Sequence, residues 1–476
     1  MILLLVFIFF FTTRITNLTL LPLFNDESIY INFGQRMIED SNNRFYSLFD
    51  GKQPLLMWLF GISSNIFSDP AYAGRLISVI FSTTTFFGLY FISRKFLSKP
   101  YFYIPLIIYT ITPVFLFFDR QALMEGPLNA ISIWSLYFLV KLMETKKMRF
   151  AFFLGTILGL GLFIKSTAIL FVITSIFYLL YLAFKNKKKT VPYILVVLIT
   201  AVVVLFPLIT NPQFSIILSR GDRFNLTLAE MAKFPFFLWT KNMFDFITIS
   251  FWQLTPPIFT LSLIGIVLFI KEKKGKILIF WFLLPLIISI ITARGFNPRY
   301  AEALLPITVV FTAYSVYYFF RIIPILIPTA LISILLIFNP LVYFNVMDRL
   351  TPLFSQKHEY VTDDTSGYGI KEAVSFLNEK SQNSPIIVGV RLDAGNPENA
   401  ILAYFYKNPA VQATYFDKQM FSKDFDFKLL KPQFPVYYVS RSQHQGGLES
   451  YLVEEKRFYK PGEKSFIGVY RFDNNQ

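Results

Sequence analysis

Long apolar blocks separated by short polar segments fill the first three quarters of the chain. A block needs about twenty residues to cross a bilayer as a helix. Eleven such blocks can be read, near 2–23, 72–93, 101–118, 128–143, 150–164, 167–184, 191–210, 246–270, 277–292, 301–320 and 322–344. The run at 54–67 is too short to cross and is expected to lie as a helix along the interface. The opening block has neither a basic leader nor a small-residue cleavage site, so it reads as an anchor rather than a removable signal. After residue 345 the pattern changes. Apolar residues at helical spacing over 370–377 precede a buried-strand pattern at 385–390. A helix near 398–407, strands near 410–416 and 435–440, a helix near 448–456 and a last strand near 465–472 follow. The expected fold is an α-helical polytopic membrane protein, a domain of residues 1–345 with about eleven transmembrane helices. A soluble α/β domain at 346–476 completes it.

Composition sharpens this picture. The 476 residues are 54% hydrophobic and only 16% charged, whereas a soluble domain carries about a quarter charged residues. The net charge of +15 would suit a nucleic-acid partner, but its placement argues otherwise. Alternate loops are basic: Arg94, Lys95 and Lys99; Lys141, Lys146, Lys147 and Arg149; Lys185, Lys187, Lys188 and Lys189; Lys271, Lys273, Lys274 and Lys276; and Arg321. Short basic loops belong in the cytoplasm. The intervening loops, about 24–71, 119–127, 211–245 and 293–300, and everything after 345 are therefore expected outside. The chain has no Cys and only two His, His358 and His444, so thiol chemistry and a His-rich metal centre are excluded.

The candidate chemistry lies in those outward loops. Asp26 and Glu27 follow the first block directly, and carboxylates at a membrane edge are functional suspects. The plain alternative is a helix start, with Asp26 as cap and Glu27 in the first turn; Tyr30 stands on the same short helix. Lys52, before Pro54, suits a lipid phosphate or a snorkelling side chain. Asp119, Arg120 and Glu125 share one loop, where Asp119 either joins a substrate pocket or pairs with Arg120. Asp26, Asp119 and Glu125 together offer oxygen ligands for a divalent metal, the minority alternative, since no Asp-x-Asp spacing supports it. Nothing in the pattern demands another cofactor. Arg299-Tyr300 opens the tenth block, as a phosphate fork or as an interfacial anchor. Lys165, Arg14 and Arg75 are lone cations in apolar surroundings, each able to snorkel or to pair with an acid of the first loop. Arg220, Arg223, Phe234, Phe236, Phe237 and Trp239 mark an interfacial amphipathic element in the loop at 211–245. His444 reads as a surface-loop residue.

Together these residues resemble the multi-spanning GT-C glycosyltransferases, and within them the protein O-mannosyltransferase family with its bacterial and archaeal relatives, including the aminoarabinose transferases of lipid A. The matching elements are Asp26-Glu27 with Tyr30, Lys52-Gln53-Pro54-Leu55, Ala73-Gly74-Arg75-Leu76, Asp119-Arg120, Gly159-Leu160-Gly161-Leu162 with Lys165, and Arg299-Tyr300 followed by Pro306. They extend over about residues 10–310. The resemblance implies inverting sugar transfer from a polyprenyl- or dolichyl-phosphate donor to a protein, lipid or glycan acceptor on the outer face. Asp26, with Glu27 beside it, would be the base. Lys52, Arg299 and Tyr300 would hold the donor phosphate. Tyr30, Arg75, Asp119, Arg120, Glu125 and Lys165 would line the substrate pocket. An acceptor that is itself a lipid phosphate needs no base, leaving Asp26 to orient groups. Two other classes stay open at this point. A lipid-linked glycan transporter would need charges inside several blocks and usually an internal repeat, which the chain does not show. A non-catalytic surface-glycan assembly protein would use the tail as a binding module.

Overall fold

The computed structural model describes every residue except 186, 222, 273, 352–354, 417–433, 443–447 and 473–476, so the readings of Lys273 and His444 lie outside the described residues. It begins with α1 (Ile2–Ile15), α2 (Asn25–Glu39), α3 (Leu55–Ser64), α4 (Pro70–Phe96), α5 (Ile104–Ile111) and α6 (Pro113–Phe118). Helices α7 (Glu125–Thr145), α8 (Met148–Ile164), α9 (Ile169–Lys185), α10 (Lys187–Ile209), α11 (Phe214–Gly221), α12 (Leu228–Met231) and α13 (Phe236–Gln253) follow. The helical part continues through α14 (Pro256–Ile270), α15 (Lys276–Thr292), α16 (Pro298–Glu302), α17 (Thr308–Tyr318), α18 (Ile327–Phe338) and α19 (Pro340–Leu350).

Several apolar blocks are broken, and most breaks fall at proline, which lacks a backbone donor and disfavours helical geometry in the residue before it. Pro113 restarts the third block as α6, and Pro340 restarts the last as α19. The block at 246–270 is not one straight span: α13 stops at Gln253, Pro256 and Pro257 begin α14, and the two helices bend by 118°. The first block also stops early, since α1 ends at Ile15 and Asn17 takes a left-handed backbone. Among the described residues four helices are long and apolar enough to cross a membrane, or five if the bent pair counts as one span.

The chain forms two compact units. The first holds Met1–Thr16, Phe45–Leu56 and Arg75–Ile337. Its loops meet in the two sets that the charge pattern separates. In the basic set Lys95 pairs with Glu144, the Tyr193 hydroxyl donates to the Lys146 carbonyl, and that of Tyr314 to Glu272. In the other set Glu230 accepts both arms of the Arg294 guanidinium, at 2.9 and 2.7 Å. That donation holds the exposed Glu230 carboxyl down at about 2. A buried network fastens α1. Asp119 Oδ2 accepts two bonds from Arg14, Asp119 Oδ1 accepts the Tyr109 hydroxyl at 2.8 Å, and Arg14 also donates to the carbonyls of Tyr109 and Thr110. Arg120 donates to the carbonyls of Thr13 and Arg14, which end α1 and lack partners in their own helix.

The second unit holds Asn17–Arg44, Met57–Gly74 and Phe338–Gln476. Its tail carries α20 (Ile370–Lys380), β1 (Ile386–Arg391), α21 (Glu398–Tyr404), β2 (Val411–Phe416), β3 (Val436–Arg441), β4 (Leu452–Tyr459) and β5 (Phe466–Phe472). The sheet order is β2-β1-β3-β5-β4: β1 lies parallel to β2 and β3, and β5 antiparallel to β3 and β4. Ile370, Ala373 and Leu377 of α20 pack with Val388, Val439 and Val469 of the sheet in one core. The helix expected near 448–456 is instead the edge strand β4. A bulge between Glu454 and Lys456 breaks its two-residue alternation, and pairing with β5 overrides the helix-like charge spacing. Helix α2 belongs to this unit and crosses most of α3 at Gly34 and Gly61, where a Cβ on either would collide with the other helix's backbone.

Two stability tests follow from this packing. Gly34→Ala is expected to destabilise by about 1–3 kcal/mol, as overpacking does, while Gly221→Ala, with open space around it, stays near the parent. Equal melting temperatures in detergent would remove the close crossing. Arg14→Met leaves a carboxylate buried without its cation, a loss of about 3–5 kcal/mol. Arg14→Met with Asp119→Leu should recover most of that melting temperature, and a single variant as stable as the parent would show that the network holds nothing.

Candidate active site

Two groups of charges gather where the less basic loops of the first unit meet. The first is built on a tight turn. A short 3₁₀ helix at Tyr46–Asp50 ends on Gly51, whose φ of 62° is the left-handed conformation that glycine adopts without strain. The Lys52 amide then bonds the Ser47 carbonyl at 3.1 Å, and the Ser47 hydroxyl donates to the Lys52 carbonyl at 2.8 Å. So fixed, the Lys52 ammonium lies 3.0 Å from Asp50, and Arg220 of α11 holds the other oxygen of the same carboxylate. Lys52 keeps 11% of its side-chain surface open and Arg220 keeps 30%.

The second group is centred on Glu125, the first residue of α7. Its Oε1 accepts the Lys165 ammonium at 2.8 Å and the Arg299 guanidinium at 3.1 Å, and its Oε2 accepts Arg299 again at 3.3 Å. Glu125 is buried, whereas Lys165 and Arg299 keep 20% and 15% of their side-chain surface open. The Lys165 ammonium also lies 5.7 Å from the centre of the Tyr300 ring. The groups are joined, because Gln53, next to Lys52, donates to the hydroxyl of Ser166, next to Lys165, at 2.5 Å. Behind them Asn129, one turn along α7 from Glu125, donates to the buried Glu302 of α16.

Of the other residues singled out from sequence, Arg75 is buried and donates to Gln121 at 3.1 Å, while Asp119 and Arg120 sit in the network that holds α1. Asp26, Glu27 and Tyr30 belong to the second unit. Glu27 is buried and closes its own helix, accepting the Phe24 amide at 3.0 Å. Asp26, half-buried in the same first turn, accepts the Tyr30 hydroxyl at 3.4 Å. Among the described residues no three His, Asp or Glu side chains converge as a metal would require. Sequence reasoning missed Asp50, Ser166, Asn129 and Glu302. Only Asp50 and Ser166 carried a signal, their closeness in sequence to Lys52 and Lys165.

Comparison with known proteins gives this geometry a context. The family model of the dolichyl-phosphate-mannose-protein mannosyltransferases matches residues 51–209. No curated protein matches the chain. Among solved structures, ArnT from Cupriavidus metallidurans bound to undecaprenyl phosphate aligns with a TM-score of 0.62 at 11% identity, over 98% of this chain and 97% of that one. Its apo form aligns with a TM-score of 0.61 at 12% identity, over 98% and 96%. The apo oligosaccharyltransferase of Archaeoglobus fulgidus aligns with a TM-score of 0.53 at 12% identity, over 100% of this chain and 74% of that one. The chain thus has the fold of the GT-C membrane glycosyltransferases, and over residues 51–209 it resembles the dolichyl-phosphate-mannose-protein mannosyltransferases in sequence as well.

Proposed function

We propose that this protein is a membrane glycosyltransferase that moves a sugar from a polyprenyl-phosphate donor to an acceptor at the outer face of the membrane. One observation carries the reading. Lys52, Arg220, Lys165 and Arg299, from four separate segments, are held beside two carboxylates and all remain partly open. The outward placement rests on the positive-inside pattern. The match to a mannosyltransferase model and the undecaprenyl phosphate bound to the structurally similar ArnT support a lipid-phosphate donor.

The chemistry follows from what such a donor must lose. The bond between the anomeric carbon and the phosphate oxygen breaks, its electron pair staying on the phosphate, which gains negative charge. Fixed cations stabilise that charge more than they stabilise the bound donor, and so they lower the barrier. Lys52 with Arg220 holds the lipid phosphate in this reading, and Lys165 with Arg299 completes a positive wall whose spacing Glu125 sets. The acceptor hydroxyl forms the new bond with inversion of the anomeric centre and gives its proton to a carboxylate, the role that the family resemblance assigns to Asp26. Glu27 closes the helix that carries this base. Asp119, Arg120 and Arg75 act structurally, holding the segment that precedes Glu125.

Two variants test the roles separately. Asp26→Asn is expected to lower transfer from undecaprenyl-phosphate mannose by about 10²–10⁴-fold, the usual contribution of a positioned base, in membranes of cells that naturally carry this protein. Parental activity would remove the base. Lys52→Ala should raise the donor concentration needed for half-maximal rate by about tenfold, the effect of losing roughly 1.4 kcal/mol of phosphate binding. An unchanged donor dependence would take Lys52 out of the phosphate site.

A further inference from the structure

The helix that carries Asp26 is stitched into the tail of the chain by a seam of buried amides. In its first turn, the Asn25 backbone N–H donates to the Thr365 carbonyl at 3.0 Å, and the Asn25 side-chain oxygen accepts the Asn396 backbone N–H at 2.8 Å. The Asn396 side chain is fully buried, and both its nitrogen and its oxygen are bonded. Its Nδ2 donates to the carbonyls of Leu23 and Thr365 at 2.9 and 3.0 Å, and its Oδ1 accepts the Ser28 hydroxyl at 2.7 Å. One turn along, Asn399 donates to Asn32 at 2.9 Å and to the Tyr415 hydroxyl at 3.1 Å, and accepts the Gly395 amide at 2.7 Å. Gln35 donates to the Ala403 carbonyl at 3.2 Å, and Arg36 lies over the Tyr415 ring. The loop that offers Thr365 is held from its other side by Lys460, whose buried ammonium donates to the carbonyls of Asp363, Asp364 and Ser366.

Residues 25, 27 and 28 are therefore each held, and Asp26 between them is half-buried and accepts the Tyr30 hydroxyl. An apolar seam would bury α2 equally well but would let it slide or rotate. Directional bonds between buried amides admit one register, because a shifted partner leaves polar groups unsatisfied. Such a device fixes where a side chain points.

We propose that Asn396 and Asn399 are positioning residues that aim Asp26, so that the α/β tail is part of the catalytic unit rather than only an acceptor-binding module. The proposal rests on the reading of Asp26 as the base. A base displaced by about 1 Å can lose of order 10²-fold in rate.

The test uses full-length protein in nanodiscs, with undecaprenyl-phosphate mannose as donor. Asn399→Ala should lower kcat by about 10–100-fold and leave the donor KM within about threefold, as expected of an interaction outside donor binding. Hydrogen exchange at residues 25–35 should speed up while β1, β3 and β5 stay protected. Ser28→Ala, which removes a single bond, should show the same pattern more weakly, and it carries the test if Asn399→Ala fails to fold. In an Asp26→Asn background, Asn399→Ala should add no further loss, because the two act through one group. Parental kcat in Asn399→Ala with a disabled Asp26→Asn overturns the positioning role and leaves the base reading intact. Full activity in Asp26→Asn with a loss in Asn399→Ala overturns the base reading and keeps α2 positioned by the tail. Unchanged exchange in α2 overturns the seam itself.

Discussion

A carboxylate taken out of water must find cations, and Glu125 finds two that are distant in sequence. Breaking a buried pair leaves an uncompensated charge, so the loop ends bearing Lys165 and Arg299 are obliged to meet at the start of α7. The meeting fixes more than an ion pair. It sets the distance between the turn after α8 and the start of α16, and through Gln53 and Ser166 it draws in the turn that presents Lys52. The helices supply apolar bulk. The buried charge supplies register.

The same logic separates the two carboxylates of the loop after α6. Asp119 is enclosed, with both oxygens occupied by Arg14 and Tyr109, and its cation is as buried as it is. Glu125 is equally buried, but its cations keep part of their surface open. An enclosed pair can only hold structure. A buried anion that presents partly open cations can hold a second anion on their outer side, which is what a phosphate site requires. Burial of the partner, rather than of the acid, tells the two apart.

Much of this was legible in sequence, and the losses have physical causes. Charge placement grouped loops that do meet within the first unit, since Lys95 pairs with Glu144 and Glu125 with Lys165. Lys165 stood out as a cation in apolar sequence, yet its partner did not, since hydrophobic periodicity carries no distance across a membrane. Block lengths overstated helix continuity at Pro113, Pro256-Pro257 and Pro340, although Pro207 and Pro285 lie inside unbroken helices. The strand β4 was hidden by a bulge that imitates helical spacing. The amide seam left no signal at all, for Gly395-Asn396-Pro397 reads locally as a turn, and only the fold reveals that its Asn side chain is buried.

That hidden seam bears on how such an enzyme divides its labour. Cations that stabilise a departing phosphate tolerate some freedom, because Coulombic attraction is long-ranged and non-directional. A base must meet one proton along one line, and its tolerance is a fraction of an ångström. The residues proposed for the two roles differ in the same way. Lys52 and Arg220 share a carboxylate and stay partly solvated, an adjustable arrangement. The helix bearing Asp26 is fixed by buried amides, with both Nδ2 hydrogens and the Oδ1 of Asn396 bonded. Under the proposed mechanism, a chain that separates these duties can vary its cations to suit the lipid while keeping Asp26 rigid. The polar atoms buried beside α2 are what the proposed role of Asp26 would demand.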